Sequence, residues 1–306
     1  MVKEKPTIYV VGGPTASGKT SASIALAQFL QTEIINADSR QVYKELQIGV
    51  AKPSPIELST IRHHGISTVD IQTHYNAGSH AKLYQKEITA LLEKNGNAIL
   101  CGGTGMYIEA LIFALDEFPP IDPELRNKLE AQLKSEGIIA MTSLLIGKDS
   151  EAGKWIKLDN PSRVMRALEL CIQTQKPLSK LLNHDKKPVF GDTAIRYIGI
   201  SHPRNILYDR INRRVDSMIE QGLLEEAKTL YSMRNLSALQ TLGYRELFDH
   251  INGINTLDQA ILRIKQHTRN YAKRQITYFS NRFPTEWIPA EDLNDFIVKF
   301  AKKHFI

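Results

Sequence analysis

Short apolar runs and helical patterns alternate over the first third of the chain. Thr7–Val11, Glu33–Ala37 and Ala98–Cys101 are compact runs of strand length, rich in Val, Ile and Leu. Between them, helical patterns run from about Gly18 to Leu30 and around Leu83–Glu93. Strands alternating with helices predict a mostly parallel sheet. After Leu115 the texture changes. Phe118-Pro119-Pro120 breaks the pattern, and Asp122-Pro123 supplies an N-cap followed by proline at the first helical position. This predicts a helix over Glu124–Ser135 that ends at Gly137. Asn160-Pro161 opens a second, from Ser162 to about Thr174. A β-rich run resumes at Ile195–Ile200, and long helices follow. The pattern predicts an α/β core over 1–115 and 193–306, interrupted by a mainly helical domain over 116–192.

Composition narrows the class. With 306 residues, 42% hydrophobic and 24% charged, the chain has an ordinary globular balance, which excludes disordered and fibrous classes. No apolar stretch approaches the ~18 residues of a membrane span. Met1-Val2-Lys3-Glu4-Lys5-Pro6 leads into a strand-like run and does not read as a signal peptide. Two cysteines, Cys101 and Cys171, cannot build a disulfide framework or a four-cysteine zinc site, and a reducing cytoplasm is the natural compartment. A net charge of +6 permits a nucleic-acid partner without requiring one.

Gly13-Pro14-Thr15-Ala16-Ser17-Gly18-Lys19-Thr20 follows a Val/Ile strand and opens a helix, which is the full phosphate-loop pattern in its required context. Successive backbone N–H groups and the helix N-terminus then face a phosphate. Lys19 supplies a point charge, and the Thr20 hydroxyl is placed to hold Mg²⁺. Asp38 ends the second strand, and Ser39-Arg40-Gln41-Val42-Tyr43 follows as a dense polar group. Ligands gather at the carboxyl ends of parallel strands, so Asp38 is a candidate general base or metal ligand, or else a helix cap. The third strand runs into Gly102-Gly103-Thr104-Gly105-Met106-Tyr107, where three glycines around one threonine suggest backbone pressed against a ligand. It lacks the metal-binding aspartate that a nucleotide triphosphatase would carry at such a strand end.

Together these segments resemble the tRNA dimethylallyltransferases, or tRNA isopentenyltransferases, in their compact bacterial form. The resemblance is carried by 13–20, Asp38–Tyr43, Ile48–Pro53, His63-His64, 102–107, Arg163–Glu169, Arg210–Val215, Gly222–Glu226, Leu242–Glu246 and Thr268–Gln275, in the family's order. Two departures occur. Val50 stands where the family has Thr, and Tyr278-Phe279-Ser280 replaces Trp-Phe-Arg.

The resemblance implies transfer of a dimethylallyl group from dimethylallyl diphosphate to N6 of the adenosine at tRNA position 37, beside the anticodon. It implies Asp38 as the base, Arg214 and Thr104 at the reacting groups, and a diphosphate held by 13–20 with Mg²⁺. By the same match the tRNA anticodon stem-loop is met by Asp38, Ser39, Arg40, Gln41, Thr104, Gly243, Tyr244, Arg245, Lys273, Arg274 and Gln275. Arg126, Arg163 and Arg166 of the insertion join them as a clamp on the anticodon stem, in an enzyme expected to act as a monomer. Glu169, three residues beyond Arg166, offers part of that set an internal ion pair instead.

The residues suit this chemistry. An exocyclic adenine amine needs a base to take its proton, and a diphosphate leaving group needs focused positive charge. Gln41 can donate and accept at an adenine edge. Between Asp258 and Glu286 lie Arg263, Lys265, Arg269, Lys273, Arg274 and Arg282 with no acid, interleaved with Tyr271, Tyr278 and Phe279. That is a pattern for single-stranded RNA, or a solvated basic helix face. His63-His64, read as helical neighbours pointing apart, are structural, and Cys101 is strand core. The rival readings are a P-loop nucleotide kinase, a prenyltransferase acting on free adenine nucleotides, and a non-enzymatic RNA-binding module.

Overall fold

The computed structural model describes residues 5–116, 118–183 and 187–305. Its chain divides into two compact units, one formed by Met1–Ile112 with Val189–Ile306, the other by Phe113–Pro188.

The first unit is built on six strands: β1 (Thr7–Gly12), β2 (Ile34–Asn36), β3 (His63–His64), β4 (Asn97–Cys101), β5 (Ala194–Ser201) and β6 (Thr285–Pro289). They lie in the order β3-β2-β4-β1-β5-β6, every pairing parallel. The expected parallel α/β sheet is therefore present. Parallel sheets are covered on both faces, and the central strand β1 is accordingly buried at all six positions. Tyr9 and Val11 point into a cluster with Ala22, Leu26, Leu30, Ile99 and Ile198, while Ile8 and Val10, on the alternate positions, are equally buried.

The order also makes β2, β4 and β1 consecutive neighbours, so their carboxyl ends open side by side. The phosphate loop, Asp38 and the Gly-Gly-Thr-Gly turn follow those three ends. Backbone bonds tie them together: Ala37 N–H to Cys101 O (2.7 Å), Gly102 N–H to Val11 O (3.3 Å) and Thr104 N–H to Ala37 O (3.2 Å). Glycine is obligatory at 102, where a Cβ would stand 2.2 Å from the Ala37 carbonyl.

His63 and His64 form the edge strand β3, not a helix turn. A two-residue strand has no period of its own, so the residue order does not distinguish it from a helix turn. His64 Nε2 lies 2.6 Å from Glu33 Oε2, and His63 Nδ1 2.8 Å from Ile61 O. No His, Cys, Asp or Glu cluster suited to a metal occurs among the described residues.

A second core joins Val42, Leu46 and Val69 to helices Arg204–Glu220, Leu223–Leu230, Tyr244–Ile251 and Leu257–Arg282 through Val215, Leu223, Tyr244, Leu247 and Ile264. No helix among the described residues is long and apolar enough to cross a membrane.

The second unit packs Leu129, Met141 and Leu145 against Val164, Leu168 and Cys171. Asp122 caps its first helix through the N–H groups of Glu124 and Leu125, and Gly137 (φ 79°) breaks that helix. Asn160 caps Pro161–Thr174, with its side chain accepting from Arg163 N–H.

Candidate active site

The loop after β1 curls through three positive-φ residues, Gly13 (120°), Ala16 (62°) and Gly18 (99°). Gly18 is the N-cap position of Lys19–Leu30, so the helix N-terminus points into the loop. The loop is buttressed from outside. Arg210 Nε donates to Ala16 O at 2.8 Å, and His202 Nε2 lies 2.9 Å from Ser17 O. The Lys19 ammonium donates to Pro14 O at 2.5 Å. It is enclosed although the residue keeps some exposure, and burial lowers its pKa to about 8, with Arg214 lowering and Asp38 raising it. Ser17 Oγ is buried without a hydrogen-bond partner.

Two cavities adjoin here. The larger, about 810 Å³, is lined by Lys19, Thr20, Lys52, Arg210, Arg213 and Arg214 together with Asp38 and the turn at 102–103. The smaller, about 380 Å³, has apolar walls from Ile211, Val215, Met218, Leu223 and Ile264. Asp38, Arg214, Val50 and Tyr271 border both. One basic chamber and one of mixed lining, apolar along the wall of Ile211, Val215, Met218, Leu223 and Ile264 and polar at Arg40, Arg245 and Arg274, thus share a single carboxylate.

Asp38 Oδ1 accepts from Arg40 N–H (2.8 Å) and Gln41 N–H (3.4 Å). It caps a turn, since no helix follows at 39–43. Both bonds fall on one oxygen. Thr104 Oγ1 accepts from Ser39 N–H at 3.1 Å and donates to Ser39 Oγ at 3.4 Å. Burial, with the Asp38 charge adding to it, raises the Tyr271 phenol to about 12, so it stands protonated beside Asp38. Burial also lowers the Arg214 pKa, an effect the Asp38 charge opposes. The Cys101 thiol is pushed up by burial and stays a thiol, which suits the reading of a strand residue and not a nucleophile.

Several residues expected at an RNA surface are instead internal. Gln275 is buried: its Oε1 accepts from Thr15 N–H (2.8 Å) and its Nε2 donates to Gly103 O (2.9 Å). It braces the phosphate loop against the glycine turn, and it removes Thr15 N–H from the donors expected to face a phosphate. Tyr244 is fully buried and donates to Glu226 Oε1 at 2.6 Å, while Gly243 is buried with its N–H on Glu246 (2.8 Å). Gln41, expected to read adenine, donates its amide to Val50 O (3.3 Å) and Ala51 O (3.0 Å). Arg40 donates to Ser237 O and Ala238 O.

In the helical unit, Arg126 (2.6 Å) and Arg166 (3.2 Å) both grip Glu169, which is fully buried. Arg163 is exposed. Phe279 is core, since a Cβ on Gly12 would sit 1.9 Å from its ring, and Tyr278 packs over Gly105. The acid-free stretch of sequence is not acid-free in space. Lys265 pairs with Asp216 (2.6 Å), Arg263 with Asp249 (3.5 Å) and Arg282 with Glu109 (3.8 Å), and Arg269 donates to Asn212 (2.7 Å). Arg245, Lys273 and Arg274 are exposed.

Ile48–Pro53 lies far along the chain from Gly222–Glu226 and Leu242–Glu246, and nothing in their residue order gives the three a joint task. The Glu226 carboxylate accepts from the N–H groups of Gln47 (3.2 Å), Ile48 (2.9 Å) and Gly49 (3.1 Å) and from the Tyr244 hydroxyl. Those three stretches form one clasp, and it holds the 47–52 wall of the larger cavity. Lys52 closes the same wall, donating to Tyr43 O at 2.5 Å, with its pKa lowered to about 8 by burial.

Comparison with known proteins extends these findings. The sequence model of the IPP transferase family matches residues 41–282. The tRNA dimethylallyltransferase of Christiangramia forsetii is 44% identical, covering 92% of this chain and 92% of its own, and that of Flavobacterium johnsoniae is 43% identical over 95% and 96%. The crystal structure of the full-length tRNA isopentenylpyrophosphate transferase of Bacillus halodurans superposes with a TM-score of 0.70 at 35% identity, over 98% of this chain and 97% of that one. A eukaryotic dimethylallyltransferase acting on tRNA gives 0.79 at 26% identity, over 97% and 77%.

Proposed function

Because the chain belongs to the IPP transferase family, we propose that it is a tRNA prenyltransferase that moves a dimethylallyl group from dimethylallyl diphosphate to N6 of adenosine 37. The observation that carries this reading is the pair of chambers meeting at Asp38. The basic chamber suits the diphosphate, the apolar wall of the other suits the prenyl chain, and its polar side, with Arg40, Arg245 and Arg274, suits the approaching nucleotide.

Asp38 takes the N6 proton as the N6–carbon bond forms and the carbon–oxygen bond to diphosphate breaks. Lys19, Arg214 and the N–H groups of 16–20 meet the charge that collects on the leaving diphosphate. Thr104 and Tyr271 flank the carboxylate and orient the acceptor. A hard divalent cation takes oxygen ligands, and the Thr20 hydroxyl, which lines the basic chamber, is of that kind. The chamber adds few anionic ligands of its own, which fits Mg²⁺ arriving on the diphosphate, where it would neutralise part of the leaving-group charge.

The RNA then approaches over exposed Arg245, Lys273 and Arg274, with Arg204, Arg269 and Lys273 gathered within 5.2–5.9 Å of the Tyr208 ring as a cluster for phosphates. Exposed Arg163 is the insertion's candidate for the anticodon stem. The reading takes the enzyme to act as a monomer in the cytoplasm.

Labelled dimethylallyl diphosphate, ATP and Mg²⁺ supplied with anticodon stem-loop RNA or AMP test the reading. Label should enter the RNA only. Label in AMP, or turnover of ATP, would replace it with one of its rivals. Within that assay, Asp38→Asn keeps the shape of the side chain but cannot accept the proton. It should lower kcat by roughly 10²–10⁴-fold and change the Kd for RNA only a few-fold. A rate within about threefold of wild type would return Asp38 to the role of a turn cap.

A further inference from the structure

Behind Asp38 lies a buried polar chain. β2 ends in Asn36, a polar side chain only 2% exposed directly after Ile34 and Ile35, which are fully buried. Asn36 Oδ1 accepts from Asp38 N–H at 3.0 Å, and Asn36 Nδ2 donates to Asp38 O at 3.1 Å and to Gly65 O at 3.0 Å. One amide therefore holds the main chain of Asp38 at both its N–H and its carbonyl, and anchors it to a separate segment.

The carbonyl of Asn36 is itself fixed by His80 Nε2 at 2.7 Å. A carbonyl can only accept, so this partner assigns the His80 proton to Nε2 and leaves Nδ1 as the acceptor for the Tyr75 hydroxyl at 2.9 Å. His80 is fully buried, with the rings of Tyr84 and Tyr107 at 4.6 and 4.9 Å and the edge of Tyr75 at 5.9 Å. Burial lowers its pKa to about 4, so the ring is neutral and the chain of donors runs one way, from Tyr75 through His80 to Asn36.

We propose that Asn36, held by the Tyr75–His80 pair, is a positioning residue that sets where the Asp38 carboxylate stands at the junction of the two chambers. This rests on the reading of Asp38 as the base. The two bonds to the Asp38 main chain and the turn bonds on Oδ1 fix the backbone and the carboxylate of Asp38 separately, and together they determine its direction. Proton abstraction is sensitive to such placement, since about 1 Å of displacement can cost roughly 10²-fold in rate.

The test is a double-mutant cycle read by single-turnover kinetics with dimethylallyl diphosphate and anticodon stem-loop RNA. Asn36→Ala should lower kcat about 10–100-fold with KM for both substrates within about threefold. In the Asp38→Asn background the same change should lower the rate less than about threefold, because the group it positions is already gone. Additive losses, or a wild-type kcat in folded Asn36→Ala, would overturn the inference.

His80 supplies an independent arm should Asn36→Ala fail to fold. His80→Gln retains a donor for the Asn36 carbonyl and should hold kcat within about threefold, whereas His80→Leu should lose about tenfold. Equal kcat in the two variants would also overturn it. Asp38→Asn alone separates the two claims: if it reacts at the wild-type rate the base reading falls, and if it is slow while Asn36→Ala is normal only the positioning role falls.

Discussion

The phosphate loop and the 47–52 segment both line the larger cavity, yet they are held by opposite means. The loop is contiguous: its curl follows from residues 13–18 and the helix that begins at Lys19. The 47–52 wall has no regular structure to hold it and depends on Glu226, more than 170 residues away in sequence, whose carboxylate gathers three N–H groups and a phenol. A loop curled by its own dihedrals, with Arg210, His202 and Gln275 as separate buttresses, keeps its path when one of them is lost. A wall that gathers three N–H groups on one carboxylate, with Gln41 and Lys52 as its other ties, loses more.

Breaking the clasp is the strongest test of that contrast. Glu226→Gln replaces one carboxylate oxygen by a donor group, leaving some of the four donors unmatched, and should destabilise by about 3 kcal/mol. Hydrogen exchange should rise at 47–49 while the helix amides from Ala22 on, just after the phosphate loop, stay protected. Equal loss of protection at both would show that the two walls are one unit. Gln275→Leu probes the single side chain that joins the phosphate loop to the glycine turn. Denaturant melts should show a loss of about 2 kcal/mol, with RNA affinity within about twofold of wild type. A large loss of RNA affinity at unchanged stability would restore Gln275 to the RNA surface.

Lys19 sharpens the phosphate side through its lowered pKa of about 8. The ammonium is charged below that value and neutral above it, so affinity for a prenyl diphosphate analogue should be retained at pH 7 and fall as pH rises past 8. The fall should be at most about tenfold per pH unit, the limit for one proton. Calorimetric titration of wild type against Lys19→Met measures this, and the same slope in both would assign the titration elsewhere. The smallest effect is expected at the outer surface. Lys273→Ala and Arg274→Ala should each weaken RNA binding a few-fold and reduce the salt slope by ~0.7–1, with donor affinity unchanged. Equal weakening of both ligands would place these residues in the core.

Much of this molecule was legible in the residue order because it depends on local chemistry. The strand–loop–helix at 7–30 follows from an apolar run, two glycines and a helical pattern. The caps at Asp122 and Asn160 and the break at Gly137 follow from short polar side chains, proline and a positive φ. The parallel sheet follows from alternation of strands with helices. Even the edge of the cavity at Asp38 was visible, as a carboxylate at a strand end.

What the residue order left open is which polar groups face a ligand and which face each other. Gln41, Tyr244, Gln275, Arg126 and Arg166 have the chemistry of RNA contacts, yet each meets a partner between 3 and 260 residues away. The third residue from Arg166 was the one such partner close enough to be seen in the sequence. Phe279, read beside basic residues as a stacking platform, fills the space over Gly12. The pairing Lys265–Asp216 and the clasp on Glu226 join segments whose separation carries no periodic signal. Composition and spacing determine the elements, because backbone dihedrals and apolar faces are local properties. Only the packed sheet and helices decide how a polar side chain is satisfied, because a hydrogen bond is set by distances that chain order does not contain.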